Sequence, residues 1–272
     1  MMDANKALTV AMDAAKIGRK ILLEYFGHLS EVVEKNQAGL VSEADKASEK
    51  AITEHILKFF PDTSIWGEED IYNSPGKSPE PKSRNNGLWM IDPLDGTTNY
   101  VHNFPIYCIS IGLEYEGELL VAVCDVPSLD RTYSAIQGQG AYLNGKRIHV
   151  SRTTELKNSL LATGFSTHET EENSFSQQID IFSSVVREVR GIRRAGSAAF
   201  DLCLVAEGVF DCYWENGLSA WDTAAGALLV KEAGGVVSTY KNEKYDPFKS
   251  SIVAGNSFIH REVIKKIGVV IP

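Results

Sequence analysis

Apolar residues recur at helical spacing in two segments near the start of the chain. Residues 3–26 place small and aliphatic side chains such as Ala7 and Leu22 on one face, which predicts a helix. A second helix is predicted to begin near Ser42 and to stop at Pro61, because proline cannot continue a helix. The chain therefore begins with two amphipathic helices.

A short strand and a polar segment follow these helices. Residues 63–69, TSIWGEE, predict a strand that ends in Glu68 and Glu69. Residues 70–87 are rich in proline, serine, glycine and lysine, which predicts a mobile surface loop. The apolar run at residues 88–91 then predicts the end of a buried strand.

Alternating apolar and polar positions fill the middle of the chain. Residues 107–126 and 132–150 show this alternation, which is typical of strands with one buried face. The sequences EGE at 116–118 and LNGK at 143–146 resemble hairpin turns. We therefore expect antiparallel sheet in this region.

Strand and helix patterns alternate in the second half of the chain, and no internal repeat is present. Strands are predicted at 159–165, 210–215 and 251–256. Helices are predicted at 174–189, 197–209 and 223–235, and from about Ser257 to the end. Mixed elements in this order favour stacked layers of helix and sheet.

Composition and charge narrow the class of protein. With 272 residues, 43% of them apolar, the chain can build one large core or two intimate halves. The formal charge of −9 and the absence of a run of five or more Lys or Arg argue against a nucleic-acid partner. No secretory signal or run of membrane-spanning length is present, so no membrane partner is expected. The four cysteines form no CxxC pair, which favours buried free thiols and a cytoplasmic location.

Two carboxylates stand where the buried strand at 88–91 ends. Asp92 and Asp95 are separated by Pro93 and Leu94 and followed by Gly-Thr-Thr. Buried carboxylates are costly unless they are paired or bind a metal ion. Further acidic residues are placed near element ends or in the second helix: Glu68, Glu69, Asp222 and Asp45.

Oxygen ligands without a cluster of histidine or cysteine suit Mg²⁺ better than zinc. If two such ions bind, one can activate a water molecule while both polarise a phosphoryl group. Asp95 also suits the N-cap of a following helix, whose free amides would face an anion. The spacing of the two aspartates alone leaves a second interpretation open, a capped helix with a buried salt bridge.

Paired motifs make the chain resemble the inositol monophosphatase family. WMIDPLDGTTNYVHNFP, residues 89–105, matches the family signature D-P-[IL]-D-G-T-x-N. Trp221-Asp222, followed by eleven residues and then Gly234-Gly235, matches its second signature. GEE at 67–69, VSEADKASE at 41–49 and RRAGSAAFDLCLVAEG at 193–208 are also similar to the family, so the resemblance covers nearly the whole chain.

The resemblance implies a fold and a reaction. The fold is an α/β layered α-β-α-β-α sandwich of the inositol monophosphatase and fructose-bisphosphatase type, with mixed and largely antiparallel sheets. Residues 1–272 would form a single catalytic domain, with the first metal motif in residues 1–150 and the Trp-Asp motif in residues 151–272. The reaction is Mg²⁺-dependent hydrolysis of a phosphomonoester, with two or three ions bound.

Site residues carry over from the family position by position. The metal ligands would be Glu68, Asp92, the carbonyl of Leu94, Asp95 and Asp222. The catalytic residues would be Glu68 and Thr97, which orient the attacking water, with Asp45 and Glu69 nearby. The substrate would contact Asp95, Gly96, Thr97, Gly196, Ser197, Ala198, Glu215 and Asp222. Lys35 resembles the lysine of a loop before the second helix, and Arg193 and Arg194 either steer phosphate or pair with surface acids.

The family also implies lithium sensitivity and a homodimer. Aromatic residues between Tyr100 and Tyr107 are the candidate surface positions for the dimer contact. The expected substrate is a small sugar or polyol phosphate, with inositol 1-phosphate in first place. Fructose 1,6-bisphosphate, another sugar phosphate or a 3′-phosphonucleotide is the alternative within the same enzyme class. A regulatory or RNA-associated binding protein is the alternative from a different class.

Overall fold

The computed structural model describes residues 2–35, 39–69, 86–166 and 174–271, and all structural statements below concern these ranges. Its helices are α1 (Ala4–Tyr25), α2 (Glu43–Phe59), α3 (Thr97–Val101), α4 (Phe175–Val186), α5 (Ala198–Ala206), α6 (Ala220–Glu232) and α7 (Ser257–Val270).

The strands belong to two sheets and a separate hairpin. The hairpin is β1 (Val32–Lys35) with β2 (Gly39–Ser42). The large sheet has the order β3-β4-β5-β6-β7-β8-β9, formed by β3 (Ser64–Gly67), β4 (Leu88–Asp95), β5 (Cys108–Tyr115), β6 (Glu118–Val126), β7 (Arg131–Ile136), β8 (Gly140–Leu143) and β9 (Lys146–Ile148). The small sheet has the order β11-β10-β12-β14-β13, formed by β10 (Leu160–Thr163), β11 (Gly191–Arg193), β12 (Cys212–Asn216), β13 (Val236–Ser238) and β14 (Ser251–Gly255).

Helices and sheets stack in five layers. Helices α1 and α2 pack on one face of the large sheet, and α5 and α6 lie between the two sheets. Helices α4 and α7 cover the outer face of the small sheet. The large sheet is antiparallel except for the parallel pair β3–β4, whereas the small sheet contains both kinds of pairing. This is the expected α-β-α-β-α sandwich.

Several helices begin where side chains satisfy their free amides. Asp3 accepts from the amides of Asn5 and Lys6 at the start of α1. Ser42 and Asp45 form a reciprocal capping box at the start of α2, and Ser219 and Asp222 form another at the start of α6. Two acidic residues with predicted roles in the site therefore also fix helix ends.

Turn chemistry in the middle of the chain follows the prediction. Glu116-Gly117 and Asn144-Gly145 both have positive φ, as tight hairpin turns between right-twisted strands require. The β5–β6 and β7–β8–β9 pairings are antiparallel, so the predicted hairpin at 116–118 and the one at 143–146 are confirmed.

Two local predictions need correction, and a third falls mainly outside the described residues. The strand predicted at 63–69 ends at Gly67, and Glu68 and Glu69 are helical instead. Tyr100 and Tyr107 are fully buried, because each ring packs against Phe26, and they are not surface residues. Of the loop predicted at 70–87, residues 70–85 lie outside the described part of the chain.

Within the described ranges, no helix has both the length and the apolar character that a membrane crossing requires.

Candidate active site

Three carboxylates from distant parts of the sequence converge at one point. Asp92 and Asp95 come from the end of β4, and Asp222 comes from the first turn of α6. One carboxylate oxygen of each lies within 4.8 Å of the others, a spacing that one divalent cation can bridge. The site therefore joins the two halves of the chain.

A bulge in β4 explains why Pro93 separates the first two aspartates. Asp92 pairs with Ser110 and Asp95 pairs with Cys108, so β4 has one residue more than β5 at this point. Proline is tolerated in an inner strand at such a bulge, because no ladder hydrogen bond is needed there. The amide of Leu94 donates to Asp92 Oδ1 at 2.9 Å, which fixes the turn.

Close helix packing brings Asp222 to this bulge. Ser110 Oγ donates to the carbonyl of Trp221 at 2.9 Å. A Cβ at Gly112 would lie 3.0 Å from the Cβ of Ala224, so glycine on β5 and alanine on α6 let the backbones approach. Small residues on β5 and α6 therefore allow the Trp-Asp motif to place Asp222 at the β4 bulge.

Burial and mutual repulsion raise the pKa values of the clustered carboxyls. Burial is the main reason that the pKa of Asp92 lies well above its usual value, and Glu68, Asp95 and Asp222 raise it further. The pKa of Asp95 is raised to about 6, and that of Asp222 also lies well above normal, again mainly because of burial. Without a cation these groups disfavour full ionisation, so the donor set fits a hard divalent ion such as Mg²⁺.

Asp95 does not cap its own helix, contrary to the sequence prediction. The N-cap of α3 is Gly96, at φ 93°, which has no side chain to bond the α3 amides. The Asp95 carboxylate instead accepts from Ser197 Oγ at 2.6 Å and from the Ala199 amide at 2.8 Å. Asp95 therefore ties β4 to the start of α5, about a hundred residues further along the chain.

A hydrogen-bonded pair lies beside the cluster. Thr97 Oγ1 is 3.0 Å from Asp45 Oδ1 and 3.0 Å from the carbonyl oxygen of Leu94. Asp45 is fully buried, and its other oxygen accepts from the amide of Ser42 at 2.8 Å. Burial is the main cause that raises the pKa of Asp45. The Thr97 hydroxyl is thus held in place between α2 and the β4 bulge.

Glu68 and Glu69 follow β3 directly. The negative charge of Glu68 raises the pKa values of Asp92, Asp95 and Asp222, which places it near the cluster. Glu69 is buried, and its backbone amide donates to Glu49 Oε2 at 2.9 Å. Lys35 ends β1, and its side chain lies outside the described part of the structure.

A cavity of about 140 Å³ opens beside the carboxylate cluster. Six predicted substrate-wall residues line it, namely Asp95, Gly196, Ser197, Ala198, Glu215 and Asp222. Glu215 lies at the end of β12, and Tyr213 donates a hydrogen bond to its carboxylate. A Cβ at Gly164 would lie 1.9 Å from Glu215 Oε2, so glycine is required next to this carboxylate.

Sequence reasoning missed part of this cavity wall. Thr163, Gly164, Asp201 and Leu218 also line it, together with Arg194, for which the sequence had left a phosphate-steering role open. Asp201 is buried, and its Oδ1 has no hydrogen-bond partner within the described residues. The one sequence signal for a role of Asp201 in the site is its position in the segment 193–208, which is similar to the family. An aspartate at this spacing is otherwise typical of the exposed face of a helix.

Asn99 holds the second half of the chain against the first motif. Its Nδ2 donates to the carbonyls of Ile106 at 2.7 Å and Ala195 at 2.8 Å. Gly196, with φ 85°, packs so tightly that a Cβ there would lie 3.2 Å from the Asn99 side chain. The asparagine of the first signature thus positions the loop before α5.

A larger cavity of about 710 Å³ lies elsewhere, near the start of α1 and the end of α2. Its lining includes Lys6, Phe60 and Tyr115, and none of the predicted site residues belongs to it. Size alone therefore does not identify the chemical site.

The chain belongs to the inositol monophosphatase family, whose members are phosphatases that hydrolyse phosphomonoesters; the family model matches residues 3–270. A relative from Aquifex aeolicus, named fructose-1,6-bisphosphatase/inositol-1-monophosphatase, is 40% identical over 97% of this chain and 96% of its own. The Nus factor SuhB of Pseudomonas aeruginosa is 38% identical over 96% of this chain and 95% of its own.

A solved structure supports the same assignment. The inositol monophosphatase from Anabaena (Nostoc) sp. has a TM-score of 0.81 and 36% identity, covering 97% of this chain and 96% of its own. Such similarity over nearly the full length confirms both the family and the layered fold.

Proposed function

We propose that this phosphatase is a Mg²⁺-dependent enzyme acting on small sugar or polyol phosphates, with inositol 1-phosphate as its preferred substrate. The observation that carries the proposal is the juxtaposition of three carboxylates within 4.8 Å and a 140 Å³ cavity that Glu215 lines. The cluster supplies a place for cations, and the cavity supplies acceptors for hydroxyl groups. Residues 1–272 would act as one catalytic domain, because both halves contribute carboxylates.

The proposed metal ligands are those of the family: Glu68, Asp92, the carbonyl of Leu94, Asp95 and Asp222. Two or three Mg²⁺ ions fit a site built only from oxygen donors with strongly elevated pKa values. When bound, Mg²⁺ would neutralise charge on the phosphoryl oxygens and make a nearby water a better nucleophile.

The chain itself would aim that water and hold the phosphate. Thr97 is fixed between Asp45 and the Leu94 carbonyl, so its hydroxyl can orient a water together with Glu68. The amides of Gly96 and Thr97 would donate to phosphate oxygens, because first-turn amides of α3 have no acceptor inside the helix. Glu69 would support Glu68 from the neighbouring position.

The cavity wall around Glu215 would recognise the alcohol part of the substrate. Glu215 is the principal acceptor for hydroxyl groups, and Gly196, Ser197 and Ala198 form the adjoining wall. Asp201 adds a second carboxyl to the cavity lining. An arrangement rich in acceptors suits a polyol, which donates several hydrogen bonds.

A substrate panel tests the proposal. Phosphate release would be measured with Mg²⁺ from inositol 1-phosphate, fructose 1,6-bisphosphate, histidinol phosphate and phosphoadenosine phosphate. We expect inositol 1-phosphate to give the highest kcat/KM. A higher kcat/KM with any other compound would reject inositol 1-phosphate as the preferred substrate. No phosphate release from the whole panel would reject phosphomonoesterase activity. Adding Li⁺ at millimolar order to the same assay checks the proposed lithium sensitivity, for which inhibition is expected.

Binding of the polyol should depend on pH through Glu215. Burial is the main reason that its pKa is raised to about 7, while Tyr213 and Arg194 lower it. Below that pH the group is neutral and a weaker acceptor, so KM for inositol 1-phosphate should rise about tenfold between about pH 8 and about pH 6. Glu215→Gln should lose this dependence, and p-nitrophenyl phosphate, which has no such hydroxyls, serves as the control substrate. The same pH profile in Glu215→Gln would contradict the assignment.

Fructose 1,6-bisphosphate is the second candidate substrate, favoured by Arg194. This side chain lines the cavity mouth and is exposed, and among the described residues it has no carboxylate at ion-pair distance. A guanidinium without a direct ion pair is suited to a second phosphate. The name of the relative from Aquifex aeolicus includes this activity. A loss of activity in Arg194→Gln that is confined to the bisphosphate would support this candidate.

The name Nus factor SuhB of the Pseudomonas aeruginosa relative favours the regulatory or RNA-associated alternative. A cytoplasmic location is proposed because all four cysteines are buried free thiols, as is usual in a reducing compartment.

A homodimer is expected, with the face around Phe104 as its proposed contact. Phe104 is 50% exposed, so its ring is available for a contact with a second copy of the chain. Light scattering after size exclusion at micromolar concentration should give about twice the chain mass of 29.9 kDa. Phe104→Asp should shift the protein towards the monomer. A wild-type monomer at that concentration would contradict the expectation.

A further inference from the structure

One turn of α2 contacts both acidic segments of the site. Asp45, Ser48 and Glu49 lie on the same face of the helix, because residues three and four apart are neighbours on a helix surface. All three are buried, with exposed fractions of 0%, 0% and 4%. Only Asp45 was expected at the site from the sequence, and polar residues so deeply buried require hydrogen-bond partners.

Ser48 is bonded to the β4 bulge. Its Oγ donates to the carbonyl oxygen of Pro93 at 3.1 Å. Pro93 lies between Asp92 and Leu94, so this bond fixes the backbone that presents both residues.

Glu49 is bonded to the segment after β3. Its Oε2 accepts from the amide of Glu69 at 2.9 Å, next to Glu68. A Cβ at Gly67 would lie 2.7 Å from the Glu49 carboxylate, closer than real Cβ contacts allow. Gly67 therefore leaves the space in which this carboxylate sits.

The two segments bonded by α2, namely the β4 bulge and the residues after β3, leave the large sheet at neighbouring positions. Strands β3 and β4 are parallel, and Gly67 pairs with Ile91 as the last residue pair. The next residues are Glu68 and Asp92, two of the proposed cation ligands. Beyond this point the ladder no longer holds their backbones together.

We infer that Ser48 and Glu49 are positioning residues that hold the Glu68 and Asp92 segments at the separation required for cation binding. The inference rests on the proposed function, because it concerns the proposed ligands. Neither residue would touch the substrate. Each would act through a backbone group adjacent to a ligand, as supporting hydrogen bonds do in other metal sites.

The test measures Mg²⁺ binding by calorimetry on the protein without substrate, together with kcat, KM and thermal stability. Glu49→Ala should weaken Mg²⁺ binding roughly 10–100-fold, the usual effect of losing such a support. Glu49→Gln should restore most of the affinity, because its amide oxygen still accepts from Glu69. Glu54→Gln is the matched control on the same helix, since that carboxylate is largely exposed, and it should bind Mg²⁺ like the wild type.

Gly67→Ala provides an independent route to the same change. Its methyl group would displace the Glu49 carboxylate while leaving Glu49 in the sequence, so it should weaken Mg²⁺ binding similarly. The double variant Gly67→Ala/Glu49→Ala should be no worse than the more affected single variant, because both remove one interaction. If Glu49→Ala does not fold, the result for Gly67→Ala decides.

Wild-type Mg²⁺ affinity in folded Glu49→Ala or in Gly67→Ala would overturn the inference, as would fully additive losses in the double variant. A loss of thermal stability with unchanged Mg²⁺ affinity would also overturn it, because it would show a purely structural role. Failure of the proposed function is distinguishable, since in that case the wild type itself would bind no Mg²⁺.

Discussion

Asp92→Asn is expected to abolish phosphate release while the protein stays folded. The substitution removes one of three clustered charges and almost no volume. Hydrolysis of phosphate monoesters is among the slowest uncatalysed reactions, so charge neutralisation and positioning supply most of the acceleration. The loss in kcat should therefore exceed the roughly 10²–10³-fold that removal of one hydrogen-bond donor costs in other enzymes. Initial rates in saturating Mg²⁺ measure it, and a rate near that of wild type would refute Asp92 as a ligand.

The same variant should be at least as stable as the wild type without Mg²⁺. The folded-state pKa of Asp92 is raised, so ionisation favours the unfolded chain at any pH above the usual aspartate range. Asparagine removes this destabilising contribution and can still accept from the Leu94 amide. The measurement is Tm in chelator at about pH 8. Asp13→Asn is the matched control on the surface, and neither its activity nor its stability should change appreciably.

Thr97→Val is expected to lower kcat by roughly 10²–10³-fold, by analogy with the loss of one oriented donor in other active sites. Valine keeps the shape of threonine but cannot orient a water. The hydroxyl lies at 3.0 Å from both Asp45 Oδ1 and the Leu94 carbonyl, so its position is well defined before substrate binds. Losing these bonds should cost about 1 kcal/mol of stability.

Thr98→Val is the matched control for Thr97→Val. Thr98 is the next residue of α3 and is exposed, so the change tests the effect of valine on this short helix alone. Its kcat should stay close to wild type. If Thr97→Val keeps its kcat and loses only Mg²⁺ affinity, Thr97 supports the metal site and does not orient water.

Local sequence patterns were sufficient to predict most of the helices and strands. The start of α2 near Ser42, the Glu116-Gly117 and Asn144-Gly145 turns, and the buried run before Asp92 are determined by neighbouring residues. Their prediction needed no knowledge of the rest of the chain. The signatures around Asp92 and Asp222 likewise predicted which acidic residues share a site, and the structure brings both together.

Contacts between distant segments were not accessible in the same way. Asp95 looked like the cap of the helix that follows it, but its carboxylate bonds to Ser197 and Ala199 on another layer. Tyr100 and Tyr107 looked like surface aromatics until α1 placed Phe26 against both rings. In each case the contacting residue lies more than seventy residues away, so the local spacing of residues along the sequence cannot indicate the contact.

The dependence of phosphate release on free Mg²⁺ tests the central claim most directly, namely that the acidic cluster is a cation-dependent phosphomonoesterase centre. Metal-free protein would be titrated with Mg²⁺ while phosphate release from inositol 1-phosphate is followed. The account predicts no release in excess chelator and a rate that rises to saturation as Mg²⁺ is added. A rate in chelator equal to that in saturating Mg²⁺ would contradict it.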